Sequence, residues 1–181
     1  MEPDADIGET AKGDHLAFGR IVTAYQGQVF AYLGRMGLDS ATAEDIAQET
    51  FLRVWRHAGK YNPRLGSLTT WILTIARNLA LTSLSLPARR AETPVSAETL
   101  DIASDAPLPD EQQVTLQRQR QLQAALLRLS AADRSLLSSS YIDELDLAAI
   151  AGIEGCSVGA AKVRLHRARQ RLRQILEADH E

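Results

Sequence analysis

From Asp14 to about Met36, apolar side chains return every three or four positions: Phe18, Ile21, Val22, Tyr25, Val29, Tyr32 and Leu33. That spacing predicts an amphipathic helix. Gly37-Leu38-Asp39-Ser40 breaks it with residues that cap a new one. A second helix is predicted from about Ala41 to Ala58, with the stripe Ala43, Ala47, Phe51, Val54 and Ala58. Gly59 closes it, and Asn62-Pro63 marks a turn. A third helical segment covers about Leu68–Leu84. No useful stretch alternates with period two, so the fold class is read as all-α.

The pattern then changes. Pro87, Pro94, Pro107 and Pro109 punctuate a stretch with few large apolar groups, which reads as a linker. Beyond it a helix is expected from about Asp110 to Arg128. Ser130-Ala-Ala-Asp133 matches a capping box that opens another helix to about Ile142. Two more follow, roughly Leu147–Ile153 and Val158–Ala178. The expected organisation is a loose acidic tail (1–12), two small helical domains (13–86 and 110–178) and a linker (87–109). The C-terminal domain ends in a helix-turn-helix. Ala151 allows a close helix crossing, Gly155 allows a positive φ in the turn, and Ser157 caps the second helix.

Charge sharpens this picture. The chain has 181 residues and a formal net charge of −3, but its cations are parcelled. Residues 51–90 hold Arg53, Arg56, Lys60, Arg64, Arg77, Arg89 and Arg90 and no acid; residues 91–111 hold acids and no base. Val158–Leu176 again holds bases and no acid. Two basic blocks around an acidic one suggest two anionic contacts.

At about 100° per residue, the last helix sorts into distinct faces. Ala161, Leu165, Ala168, Leu172 and Ile175 form the buried stripe. Lys162, Arg169 and Arg173 form one cationic rail; Arg164, Arg167 and Arg171 form another. Between them lie Val163, His166 and Gln170. A helix in a major groove needs cations toward both phosphate walls and uncharged or hydrogen-bonding groups toward base edges. The basic block of the first domain is interleaved with Trp55, Tyr61 and Trp71, a pattern that suits stacking of single-stranded bases. Trp55 and Trp71 are more often core residues than stacking platforms. On the 41–58 helix, Asp45, Gln48, Glu49, Leu52 and Arg56 oppose the apolar stripe, either as a solvated face or as a protein-docking patch anchored by Leu52.

Other classes fall away. Cys156 is the only cysteine, so no intramolecular disulfide framework or thiolate zinc site is expected. No apolar run approaches the ~20 residues of a membrane span, and the acidic N-terminus lacks a signal-peptide pattern; the expected compartment is the cytoplasm. His15, His57, His166 and His180 are scattered, so no catalytic, metal or cofactor site is expected, and the chain is read as no enzyme.

Three segments resemble the extracytoplasmic-function (ECF) class of bacterial RNA polymerase sigma factors. They are Asp45-Ile-Ala-Gln48-Glu49-Thr-Phe51-Leu-Arg-Val-Trp55, Thr70-Trp71-Ile-Leu-Thr-Ile75-Ala76-Arg77-Asn78, and Ile150-Ala151 through Gly155-Cys-Ser-Val158-Gly159 to Lys162-Val-Arg164-Leu-His166-Arg167-Ala-Arg169. The resemblance spans about residues 13–176. It implies a region 2-like domain over 13–86 and a region 4-like domain over 110–178. It implies docking on core RNA polymerase through Asp45, Gln48 and Glu49, with the anchor Leu52 read from the face pattern beside them. Melting and capture of the −10 promoter strand would fall to Tyr61, Arg64, Trp71, Arg77, Asn78, Arg89 and Arg90. Reading of the −35 duplex would fall to Lys162, Val163, His166 and Arg167, with the rail cations Arg164, Arg169 and Arg171 joining them. The implied partners are core polymerase, promoter DNA and an anti-sigma factor, often membrane-anchored.

The chain also departs from the family pattern. Leu81 to Leu86 intervene before Arg89-Arg90, which weakens the expected phosphate grip beside the −10 element. Ala160 lacks a hydroxyl for phosphate, and Val163 stands where serine is common, offering a methyl contact to thymine. Glu154 occupies a usually apolar position and is expected to be partly exposed. Three rival readings are a helix-turn-helix regulator acting without polymerase, an enzyme, and a pure interaction module. The regulator would need neither the acidic face nor the strand-capturing block; the intact basic helix argues against the last.

Overall fold

A computed structural model describes residues 3–85, 110–142 and 145–179. Among these residues it contains eight α-helices and no strand. They are α1 (Pro3–Thr10), α2 (His15–Arg35), α3 (Ser40–His57), α4 (Leu68–Ser85), α5 (Asp110–Leu127), α6 (Ala131–Ser140), α7 (Leu147–Glu154) and α8 (Val158–Ala178), with a 3₁₀ turn at Ala58–Lys60.

Short polar side chains set most of the helix starts. Asp14 accepts from the Leu16 and Ala17 amides to open α2. Asp39 accepts from the Thr42 amide at 2.9 Å and its hydroxyl at 2.7 Å to open α3. Ser130, Asp146 and Ser157 accept from the Asp133, Ala149 and Ala160 amides to open α6, α7 and α8. Each cap satisfies an amide that has no partner within its helix. Gly155 ends α7 in the left-handed region at φ 62°, where a β-carbon would be strained.

The acidic tail expected over 1–12 is instead helical from Pro3 to Thr10. α1 packs on α2 and on the 3₁₀ turn, Ile7 enters the core, and Asp6 pairs with Arg20 at 2.6 Å. The physical reason is that one buried isoleucine and the pairing of Arg20 with both Asp6 and Glu9 suffice to dock a short helix that already has a neighbour to lie on.

α1–α4 form one helical group and α5–α8 another. They are packed together: α4 lies against α6 and α7, and α2 lies against α6. Their buried side chains make one connected cluster, from Ile21, Leu33 and Leu73 on one side to Leu136, Leu137 and Ile153 on the other. At the contact, Tyr32 Oη and Ser135 Oγ are 2.8 Å apart, and Gln123 donates to the Gly34 carbonyl at 3.0 Å. Leu127 packs so closely on Gly37 that a β-carbon there would collide with it.

Candidate nucleic-acid interface

α8 meets the sequence expectation on its buried and outward faces, except that Ile175 is only half-buried. Ala161, Leu165, Ala168 and Leu172 are buried, while Val163 is 50% exposed and His166 and Gln170 are exposed beside it. α7 supplies the platform through buried Ile150, Ala151 and Ile153, and the Gly155-Cys156-Ser157 turn sets the angle between the two helices. Lys162, Arg167 and Arg169 are exposed, and none of them has a carboxylate within ion-pair distance among the described residues. Their charge is therefore available to an external anion.

The other cations of α8 are engaged within the chain. Arg171 pairs with Asp133 at 2.6 Å, Arg173 with Glu177 at 3.3 Å, and Arg164 lies 3.8 Å from Glu154. The two rails read from the sequence are thus unequal, with free cations concentrated near the first three turns.

In the first helical group, α3, the 3₁₀ turn and α4 enclose a cleft of about 310 Å³. Arg53, His57, Lys60, Trp71, Ile75 and Asn78 line it. Trp71, Ile75 and Asn78 share one helical face because they are spaced four and three residues apart. Tyr61 packs on Trp71 with ring centroids 5.6 Å apart and donates to the Gly66 carbonyl at 3.3 Å, which ties down the loop that carries exposed Arg64. An apolar and aromatic wall, one amide side chain and three basic groups are suited to an unstacked base and its flanking phosphates.

The structure separates the two tryptophans that the sequence left equivalent. Trp55 stacks on His15 at 4.5 Å and meets Phe18 edge-on at 5.1 Å, so it fastens α3 to α2. Only Trp71 faces the cleft. His57 and Ile75 were not singled out by sequence; the signal lay in their spacing, four residues beyond Arg53 and Trp71 respectively. Arg77 stands apart from this cleft and points across to the second helical group. Arg89 and Arg90 lie outside the described residues.

The solvent face of α3, opposite its buried stripe, carries Asp45, Gln48, Glu49 and Leu52. Asp45 and Gln48 are exposed, Leu52 is 46% exposed, and Glu49 pairs with Arg53 at 2.8 Å. An acidic strip with an exposed leucine therefore borders the basic cleft along the same helix.

Glu154 departs from expectation. Its side chain is fully buried rather than partly exposed. It pairs with Arg77 at 2.9 Å and accepts a short hydrogen bond from Ser135. The charge is tolerated at an otherwise apolar site because a cation and a hydroxyl meet it. Ser135 also accepts from Arg77 Nε at 3.1 Å. Burial, foremost, pushes the pKa of the neighbouring Tyr32 hydroxyl up, so Tyr32 serves this network as a neutral group.

Among the described residues, no group of three histidine, cysteine or acidic side chains is placed to hold a metal. No described helix is long and apolar enough to cross a membrane.

Comparison with known proteins agrees with this geometry. Residues 21–90 match the family model for sigma-70 region 2, and residues 119–172 match that for sigma-70 region 4. The chain is 33% identical to the ECF RNA polymerase sigma factor SigW of Bacillus subtilis, over 94% of each chain. It is 31% identical to the ECF RNA polymerase sigma factor RpoE of Cereibacter sphaeroides, over 89% of this chain and 87% of that one. In fold it is similar to CnrH in complex with the cytosolic domain of CnrY, with TM-score 0.71 and 21% identity over 97% of each chain. It is also similar to the sigma factor RpoE of Bartonella quintana in complex with the anti-sigma factor NepR, with TM-score 0.65 and 24% identity over 90% of this chain and 98% of that one.

Proposed function

Since the chain belongs to the extracytoplasmic-function class of RNA polymerase sigma factors, we propose how its surfaces divide the work of promoter recognition. As a sigma factor it binds core RNA polymerase and directs initiation, without chemistry of its own. Residues 13–86 act as the region 2-like domain and residues 110–178 as the region 4-like domain. Asp45, Gln48, Glu49 and Leu52 dock on core polymerase. The cleft walled by Trp71 and Asn78, with Tyr61 and Arg64 on its flank, holds a base of the opened −10 strand. Lys162, Val163, His166, Arg167 and Arg169 read the −35 duplex, with Arg164 and Arg171 at the edge of that contact. Arg89 and Arg90 complete the −10 side by gripping phosphate; Arg77 is assigned to the same side, and here Glu154 occupies its guanidinium.

The single observation that carries this reading is the pairing of two unlike basic sites in one chain. One is a convex helix with exposed cations; the other is a concave cleft walled by Trp71, Ile75 and Asn78. A regulator confined to duplex DNA has use only for the first. The work takes place in the cytoplasm, where core polymerase and promoters are. The partner that restrains the chain is an anti-sigma factor, a reading supported by the two solved complexes of similar fold.

Run-off transcription with purified core polymerase on a randomised promoter library tests the proposal. The expected result is a stoichiometric holoenzyme that opens promoters carrying a shared −35 and −10 sequence. A chain that binds duplex DNA yet forms no holoenzyme would overturn it.

A further inference from the structure

Glu154 touches cations from both halves of the molecule. Arg77 reaches it from α4 at 2.9 Å, and Arg164 reaches it from α8 at 3.8 Å. These arginines belong to segments assigned above to different promoter elements. Such elements on one face of a duplex lie more than one helical turn apart, over ~34 Å. Two side chains held on one carboxylate cannot reach both. The packing around Glu154 is continuous: Tyr32 meets Ser135 at 2.8 Å, and a β-carbon built on Gly152 would rest 3.5 Å from the Thr70 methyl. The carboxylate is fully buried, with Arg77 of α4 and Ser135 of α6 both on it.

We propose that Glu154 is an intramolecular latch. It takes the place of a DNA phosphate against Arg77 and Arg164, and so holds the free chain closed, with its two DNA-reading elements too near each other to span a promoter. Engagement with promoter DNA requires Arg77 to leave Glu154. This inference rests on the sigma-factor surfaces proposed above. It goes beyond them by assigning regulation to a residue of the chain itself, at a position where the family is usually apolar.

The test compares the full chain with Glu154→Leu and with Glu44→Gln, a change at an exposed position of α3 that removes one acid elsewhere. X-ray scattering reads closure directly and needs no transcription. The expected result is a larger radius of gyration for Glu154→Leu alone. Because apparent affinity scales with the open fraction, the free variant should bind forked promoter DNA at least about fivefold more tightly. An unchanged radius with native helical circular dichroism, or an equal gain from Glu44→Gln, would overturn the latch. Should Glu154→Leu lose its helical signal, a reversible cross-link decides. Thr70→Cys and Gly152→Cys are combined with Cys156→Ser, and oxidised and reduced forms are compared. The oxidised form should fail to open promoters and recover on reduction; equal initiation by both forms would refute the proposal. If neither form initiates while Glu154→Leu expands with its helical signal intact, the promoter reading fails and the latch stands.

Discussion

Arg171 and Asp133 face each other at 2.6 Å, tying the middle of α8 to the first turn of α6. Asp133 is the more enclosed partner, with 13% of its side chain exposed against 55% for Arg171. A cation already held by its own domain has less to give an external phosphate. Exposed ion pairs of this kind contribute about 0–1 kcal/mol to stability. Arg171→Ala is therefore expected to change −35 binding little and to lower stability by no more than about 1 kcal/mol. Arg167→Ala, which removes an unpaired cation, should cost about 1–3 kcal/mol in −35 selection or shift its sequence preference. Holoenzyme binding to −35 duplexes over a salt series separates the two. Equal losses for both variants would show that the Asp133 contact yields to DNA.

Reversing the acidic strip tests the docking face. Asp45 and Glu49 are not part of the core, so Asp45→Lys with Glu49→Lys should leave the helical circular dichroism signal in place. The second substitution replaces the Glu49–Arg53 ion pair with two cations one turn apart, a local repulsion worth only a few tenths of a kcal/mol, about 0.2–0.5. Assembly with core polymerase on gel filtration should nevertheless be lost. Normal assembly by the double variant would reject this face as the docking site.

Asn78 is the cleanest probe of the cleft because it is exposed on α4 and its loss opens no cavity. Asn78→Ala should weaken binding of the holoenzyme to forked −10 DNA by about 1–3 kcal/mol, the scale of a good side-chain contact to a base, and leave −35 duplex binding unchanged. Fluorescence of an unstacked base analogue in the −10 strand reads the capture step. A loss confined to −35 duplexes would contradict the placement of the base in this cleft.

The helices, caps and buried stripes were legible because each is a local pattern. Asp39, Ser130 and Ser157 announce their caps within three residues, and the α8 stripe follows from spacing alone. The Gly155 turn was legible for the same reason, since a positive φ there leaves few residues to choose from. What escaped the sequence depends on contacts distant along the chain. Glu154 reads as a misplaced acid until α4 brings Arg77 over it. Trp55 and Trp71 carry the same local signal, and only the position of α2 decides which is covered. α1 looked like a tail because a single turn-spaced isoleucine is no periodicity; its order comes from Arg20 and from the α2 surface.

Acid should release the first turn of α2. Asp14 accepts from the Leu16 amide at 2.8 Å and the Ala17 amide at 3.1 Å. These hydrogen bonds, that from Ala17 foremost, hold its carboxyl below the ordinary value of 3.8. A carboxyl whose folded pKa is depressed favours the fold in its charged form. Its contribution is therefore complete above the unfolded value and disappears as pH falls through the lower folded value. Carboxyl NMR titration should place the Asp14 midpoint below 3.8, and hydrogen exchange at the Leu16 and Ala17 amides should quicken through that same midpoint. Asp14→Asn keeps a neutral capping oxygen, so the helix start should persist while this pH dependence vanishes. A midpoint at or above 3.8, or the same acid-induced exchange in Asp14→Asn, would show that the charge of Asp14 does not hold the cap.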